Sequence, residues 1–140
     1  MAYDRNNIFA KILRGEIPCH KVYEDEHTLA FMDVMPQSEG HTLIVPKAEA
    51  ESIFELNSTK LQALIVTTQR IAAAAKQAFS ADGITVMQFN GEAAGQTVFH
   101  IHFHVVPRYV GTPLREHGRG MADKDVLMQQ AESLRQALNQ

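Results

Sequence analysis

Three histidines alternate with apolar residues early in the last third of the chain, and this pattern limits the fold more than any other feature. The stretch reads HIHFHVV, with the imidazoles at His100, His102 and His104. Successive side chains of a β-strand point to opposite faces of the sheet, so a strand would gather the three histidines on one face. The pattern predicts a strand over residues 97–106 that ends at Pro107.

The rest of the chain predicts strands in hairpin-like pairs, together with helices. The predicted strands are two within 20–34 around an acidic turn, one at 41–45 ended by Pro46, and one at 84–89. The predicted helices are a short one capped by Asn6 or Asn7 that ends at Leu13, one at 58–81 capped by Ser58 or Thr59, and one at 123–138. Because strands and helices do not strictly alternate, we expect an α+β fold with an antiparallel sheet.

Length and composition exclude several classes of protein. The chain has 140 residues, 45% of them hydrophobic, and a formal net charge of −3, which predicts one globular domain without a basic surface for nucleic acid. No signal-like or membrane-spanning apolar run occurs, so we expect a cytoplasmic protein with no membrane partner. The single cysteine, Cys19, excludes an internal disulfide and is expected to be a partly buried apolar residue.

The alternating histidines fit two kinds of chemistry, and their spacing does not separate them. Two of them could bind zinc, with a further ligand from His41, His117 or Asp33. Alternatively, a neutral imidazole could attack phosphorus and form a phosphohistidine, while a neighbouring ring donates to the phosphoryl oxygens. A plain polar face on a surface strand is a third interpretation, although Thr, Lys or Glu would suit it better.

The stretch at 100–106 resembles the signature of the histidine triad (HIT) family, in which three histidines alternate with apolar residues. Residues 8–18, 23–47 and 89–108 also resemble the Hint branch of that family or its bacterial relatives. The resemblance implies a HIT-like α+β fold, with helices packed on a five-stranded antiparallel sheet, and a homodimer. It implies one HIT domain over residues 1–140, with a core at about 5–110 and a C-terminal loop and helix at 111–140.

The resemblance also implies a nucleotidyl hydrolase or transferase that acts on the α-phosphorus of a purine nucleotide, with an AMP or GMP moiety and no cofactor. His102 matches the nucleophile, and His104 matches the residue that contacts the phosphate. His100 matches the residue that helps to fix the nucleophile, and His41 is a fourth histidine of the cluster. Thr97 matches a residue that hydrogen-bonds the leaving atom.

Further positions match the family's nucleotide-binding residues. Asp33 matches a carboxylate that binds both ribose hydroxyls. The loop before the triad lacks the Gly-Lys-Ser/Thr ending of a P-loop, which excludes that chemistry. The residues matched to the phosphate and leaving group are Asn90, Gly95, Gln96 and Thr97. Those matched to the nucleobase slot, which equally fit core positions, are Ile8, Phe9, Ile12, Phe31 and Val34.

We therefore predict a Hint-like purine nucleoside phosphoramidase that forms a nucleotidyl-His102 intermediate. The alternatives are a dinucleoside polyphosphate or aminoacyl-adenylate hydrolase, a nucleotide-binding regulatory protein with weak catalysis, and a zinc hydrolase that uses the three histidines. The segment beyond Tyr109, which would border the leaving-group pocket, matches neither the Hint branch nor the Fhit branch, so the sequence does not predict the specificity for the leaving group. By resemblance, the helix at 58–81 and the strand at 84–89 are candidates for the dimer interface.

Overall fold

Five antiparallel strands form one sheet in the order β1-β2-β3-β5-β4 in a computed structural model that describes residues 2–116 and 120–139. The strands are β1 (Lys21–Glu24), β2 (Thr28–Met32), β3 (Thr42–Pro46), β4 (Gly83–Met87) and β5 (Phe103–Arg108). With the helices packed on it, this sheet confirms the predicted α+β fold.

Within the described residues, three α-helices accompany the sheet: α1 (Ile8–Leu13), α2 (Ser58–Ala78) and α3 (Lys124–Leu138). The prediction that Ser58 or Thr59 caps α2 is wrong. Asn57 is the cap, because its extended backbone brings its side-chain oxygen 2.8 Å from the backbone N–H of Lys60. Asn7 caps α1 in the same way, as predicted. No helix among residues 2–116 and 120–139 has the length and apolar content to cross a membrane.

Apolar residues cover both faces of the sheet. One face packs against α2 and α3 in a large core that includes Ile44, Leu64 and Ile71. The other face carries a smaller cluster that includes Phe9 of α1 and Phe31 of β2. Because β2 and β3 lie between these two layers, every residue of both strands is buried. The candidate site opens at the smaller cluster.

The boundaries of β5 differ from the prediction at both ends. The strand begins only at Phe103, because backbone groups of the preceding residues form hydrogen bonds outside the sheet. The Ile101 N–H donates to the Ala50 carbonyl (2.9 Å), and the His100 carbonyl accepts from a side chain. Residues 97–102 are therefore irregular, so the three histidines do not lie on one strand.

Two prolines are themselves residues of the strands that they were predicted to stop. Pro107 belongs to β5 and lies beyond the registered pairs between β5 and β3, which stop at Val105 opposite Thr42. Pro46 is the last residue of β3, opposite Thr28. Both prolines are near a strand end, where the missing N–H removes little from the ladder.

Candidate active site

A half-open cavity of about 190 Å³ lies beside α1, at the edge of the smaller apolar cluster. The predicted site residues that line it are Ile8, Phe9, Ile12, Phe31, Asp33, Val34, Thr97, His102 and His104. Its lining is mostly apolar, with one carboxylate and two imidazoles among its polar groups. A cavity of this kind suits a flat apolar ring that carries a polar extension.

The other predicted residues lie outside this lining. His41 and His100 are fully buried behind it, and each contacts a lining histidine. Asn90 and Gln96 brace the loop before the triad instead of facing the cavity. The Asn90 side chain accepts from the Ile53 N–H (2.8 Å), and the Gln96 side chain accepts from the Gly91 N–H (2.7 Å) and donates to two carbonyls.

Gly95 belongs to the same loop and ends a short 3₁₀ turn at Glu92–Ala94. Its φ of +103° is a conformation that side chains disfavour, which explains the glycine. A Cβ at Gly95 would meet the ring of Phe89 at an ordinary contact distance of 3.8 Å. Backbone geometry rather than lack of space therefore requires glycine there.

His102 is held by the backbone of its own triad. Its Nδ1 lies 2.7 Å from the His100 carbonyl oxygen, which can only accept a hydrogen bond. The ring therefore carries its proton on Nδ1, and the lone pair of the neutral form is on Nε2. The ring of Phe9 meets His102 edge-on at 4.8 Å between centroids and sets its tilt.

His100 is held through both of its ring nitrogens. Nε2 donates to the Pro46 carbonyl at 2.8 Å, and Nδ1 accepts from the hydroxyl of Tyr3. Burial lowers the pKa of His100 from its ordinary 6.5 to about 4, against the opposing effect of the Pro46 carbonyl. The ring is therefore neutral at physiological pH.

A second pair of imidazoles extends from the backbone towards the cavity. The Gln37 N–H donates to His41 Nδ1 (3.0 Å), so neutral His41 carries its proton on Nε2. That N–H faces His104 Nδ1 at 3.0 Å and Asp33 Oδ2 at 3.4 Å. With its Nδ1 as acceptor, His104 carries its own proton on Nε2. His104 lies opposite Leu43 of β3, and both line the cavity.

The donor set for a metal ion differs from the one predicted from the sequence. Both nitrogens of His100 already have partners, so the three triad histidines do not converge on one point. Among the described residues, one buried group could offer ligands: Asp33, His41 and His104 have ligand atoms within 4.8 Å of one another. His117, also considered as a ligand, lies outside the described residues.

Several residues of the site were not found from the sequence. The turn that follows α1 adds Ile17, Pro18 and Cys19 to the cavity wall. Gly15 and Pro18 are the sequence features that indicate a turn there. Burial raises the pKa of the Cys19 thiol, so it serves as an apolar wall. Tyr3 belongs to no motif, and nothing in the sequence pattern indicates its contact with His100.

Comparisons with known proteins agree with this geometry. A family model described as the HIT domain matches residues 14–111. The chain is 44% identical to the Protein hit of Bacillus subtilis over 104 residues, which cover 74% of this chain and 72% of that protein. It is 36% identical over 114 residues to the adenosine 5′-monophosphoramidase of Schizosaccharomyces pombe, covering 81% of this chain and 80% of that protein.

A solved structure is similar over nearly the whole chain. The crystal structure of a Hit-like protein from Bartonella henselae, described as involved in cell-cycle regulation, superposes with a TM-score of 0.91 at 48% identity. The match covers 97% of this chain and 99% of that one.

Proposed function

This chain belongs to the HIT family, and from that membership we propose that it is a purine nucleoside phosphoramidase. It attacks the α-phosphate of an adenosine- or guanosine-type phosphoramidate and forms a covalent nucleotidyl-His102 intermediate. The observation that carries the proposal is the hydrogen bond from His102 Nδ1 to the His100 carbonyl, because it directs the Nε2 lone pair to the reaction. The monophosphoramidase of Schizosaccharomyces pombe supports the choice of an amine leaving group.

Substrate binding follows from the chemistry of the cavity. The purine inserts between α1 and β2, where Phe9 and Phe31 are buried and Ile8 is 46% exposed at the rim. The ribose then reaches Asp33, whose carboxylate has acceptor oxygens for its hydroxyls. The Met35 N–H donates to Asp33 Oδ1 at 2.8 Å, which orients the carboxylate.

In the first step, His102 Nε2 forms a bond to the α-phosphorus as the bond to the leaving nitrogen breaks. His104 Nε2–H donates to a phosphoryl oxygen, whose charge grows in the transition state. The amine departs with the bonding electron pair, accepts a hydrogen bond from the Thr97 hydroxyl and takes up a proton from solvent. His102 becomes a positively charged nucleotidyl-imidazolium, and the His100 carbonyl stabilises the proton that remains on Nδ1.

In the second step, water attacks the same phosphorus and displaces His102 Nε2. The water loses a proton to solvent, and the products are a nucleoside monophosphate and a neutral His102. The proton on Nδ1 does not move in either step. The His102 tautomer that the His100 carbonyl selects is therefore the one required at the start and at the end of the cycle.

Turnover of an adenosine phosphoramidate by wild type and His102→Ala tests the proposal. We expect kcat to fall by at least about a thousandfold in the variant, because it has no nucleophile. The matched control is His27→Ala, which should retain activity. It removes a histidine of the β1–β2 turn that is distant in sequence from the triad. AMP binding measured by calorimetry establishes that His102→Ala still folds. Full activity in His102→Ala would refute the covalent mechanism.

Further measurements of turnover and of nucleotide binding separate the alternative functions. Turnover of a diadenosine polyphosphate with a higher kcat/KM than the phosphoramidate would assign the other substrate class. Loss of activity in EDTA, with recovery on adding zinc, would assign the reaction to a metal held by Asp33, His41 and His104. Tight AMP binding with no turnover of any substrate would favour a regulatory nucleotide-binding protein.

We also propose that the protein forms a homodimer through β4 and α2. Strand β4 is at one edge of the sheet and would otherwise leave backbone groups unpaired. Beside it, Ile65 and Val66 of α2 and Val86 of β4 are 44–53% exposed and form an apolar patch. A second copy would cover this patch and pair with the edge strand.

A further inference from the structure

The N-terminal segment reaches the triad through a polar contact of Tyr3. The hydroxyl of Tyr3 hydrogen-bonds His100 Nδ1, although the two residues are 97 positions apart in the chain. Their rings meet edge-on, with centroids 5.6 Å apart and planes at 63°. Burial raises the pKa of Tyr3, so the phenol remains a hydrogen-bond donor at physiological pH.

The direction of this hydrogen bond is determined by the other side of the ring. His100 is fully buried, and its Nε2 must carry a proton because it lies 2.8 Å from the Pro46 carbonyl. The neutral ring therefore has its lone pair on Nδ1, and Tyr3 is the donor. The charged and titratable groups around the ring are the Glu49 carboxylate and the His102 ring.

His100 is coupled to the nucleophile through its main chain. Its carbonyl accepts the proton of His102 Nδ1 at 2.7 Å, so a rotation of His100 would shift the acceptor that selects the His102 tautomer. The same N-terminal segment also contacts the nucleophile directly, because Phe9 packs edge-on against the His102 ring. Two triad rings are thus held by residues within the first nine positions.

We propose that Tyr3 is a positioning residue for the nucleophile: its hydroxyl and the Pro46 carbonyl hold opposite sides of the His100 ring, and the fixed ring keeps the His100 carbonyl aligned on His102 Nδ1. Tyr3 does not touch the substrate, since it is absent from the cavity lining. The expected effect of Tyr3 on turnover rests on the proposed function. Its effect on the His100 and His102 rings does not.

The test compares Tyr3→Phe with Tyr109→Phe in the full-length protein. Each variant keeps the aromatic ring and loses one hydrogen bond, since the Tyr109 hydroxyl donates to the Phe79 carbonyl (2.8 Å) away from the site. Long-range ¹⁵N–¹H correlation spectra report the tautomers of His100 and His102. Kinetics on an adenosine phosphoramidate report kcat and KM separately.

We expect Tyr3→Phe to keep His100 protonated on Nε2, because the Pro46 carbonyl remains, but to weaken the His102 Nδ1–H signal, while Tyr109→Phe has wild-type spectra. In Tyr3→Phe, kcat should fall roughly tenfold from the wild-type value, because the loss of one hydrogen bond raises the free energy of the transition state. KM should stay within about twofold of the wild-type value. A wild-type His102 Nδ1–H signal in Tyr3→Phe would overturn the proposal, as would a weakened signal with unchanged kcat. If wild type does not turn over the phosphoramidate, the proposed function fails, and the spectra alone decide the role of Tyr3.

Discussion

At the level of single residues, one backbone group sets the state of each of three histidine rings. The Pro46 and His100 carbonyls accept protons from His100 Nε2 and His102 Nδ1, and the Gln37 N–H donates to His41 Nδ1. Backbone groups cannot change their protonation, so each contact selects one tautomer without adding charge. The fourth ring, His104, takes its tautomer from His41.

The burial of His100 predicts a loss of stability in acid. The pKa of His100 is about 4 in the folded protein and near 6.5 when unfolded, so between these values only the unfolded chain binds the proton. The free energy of unfolding should therefore decrease as pH falls from 6.5 to 4, by about 3 kcal/mol from this group, and level off below.

Urea unfolding of wild type and His100→Gln across this pH range measures the effect. Contributions of all other groups appear in both proteins, so the difference between them isolates His100. We expect the stability advantage of wild type to shrink as pH falls. Parallel pH dependence of the two proteins would show that His100 is not buried in its neutral form.

At the level of elements, the end of α2 is fitted against the turn between β2 and β3. Gly40 in that turn has a φ of +84°, and an added Cβ would overlap the ring of Phe79, which follows α2. Gly15, after α1, has a similar φ of +79° with nothing within 4 Å of the added atom. The two glycines therefore share the backbone requirement, and only Gly40 adds a steric one.

Alanine at each of these glycines separates the two requirements. Gly15→Ala should lower the free energy of unfolding by about 1 kcal/mol, the cost of a positive φ for a residue with a Cβ. Gly40→Ala should cost a further ~1–3 kcal/mol, because the Phe79 ring must move. Urea unfolding at neutral pH measures both. Equal losses would mean that the Phe79 ring rotates away without cost.

At the level of the whole molecule, the exposed edge of the sheet predicts the assembly. Val86→Lys places a charge on the outer strand β4, within the apolar patch, and should convert a dimer into a monomer. Light scattering after size exclusion measures the mass, which should halve. Met128→Lys, at a methionine of α3 that is 58% exposed, is the control and should leave the mass unchanged. A wild-type mass of one chain would refute the proposed homodimer.

Local patterns in the sequence determined much of this protein. The helical spacing of apolar residues predicted the helices, and the hairpin-like pairs of strands predicted an antiparallel sheet. The spacing of the histidines, with the resemblance that it carries, indicated the family. These features depend on neighbours within a few positions, where side-chain periodicity reports which face of an element is buried. The α+β fold and the Asn7 cap of α1 were predicted on this basis, and the structure confirms them.

Only the tertiary structure decided how the histidines are used. The sequence predicted one strand with three rings on one face, whereas the chain bends at 98–100 because Ile101 pairs with Ala50 and His102 with the carbonyl of His100. The contact of Tyr3 with His100 likewise joins two residues that are 97 positions apart in the chain. Contacts at such separations depend on the path of the whole chain, and hydrogen bonds made there override the local preference for a strand.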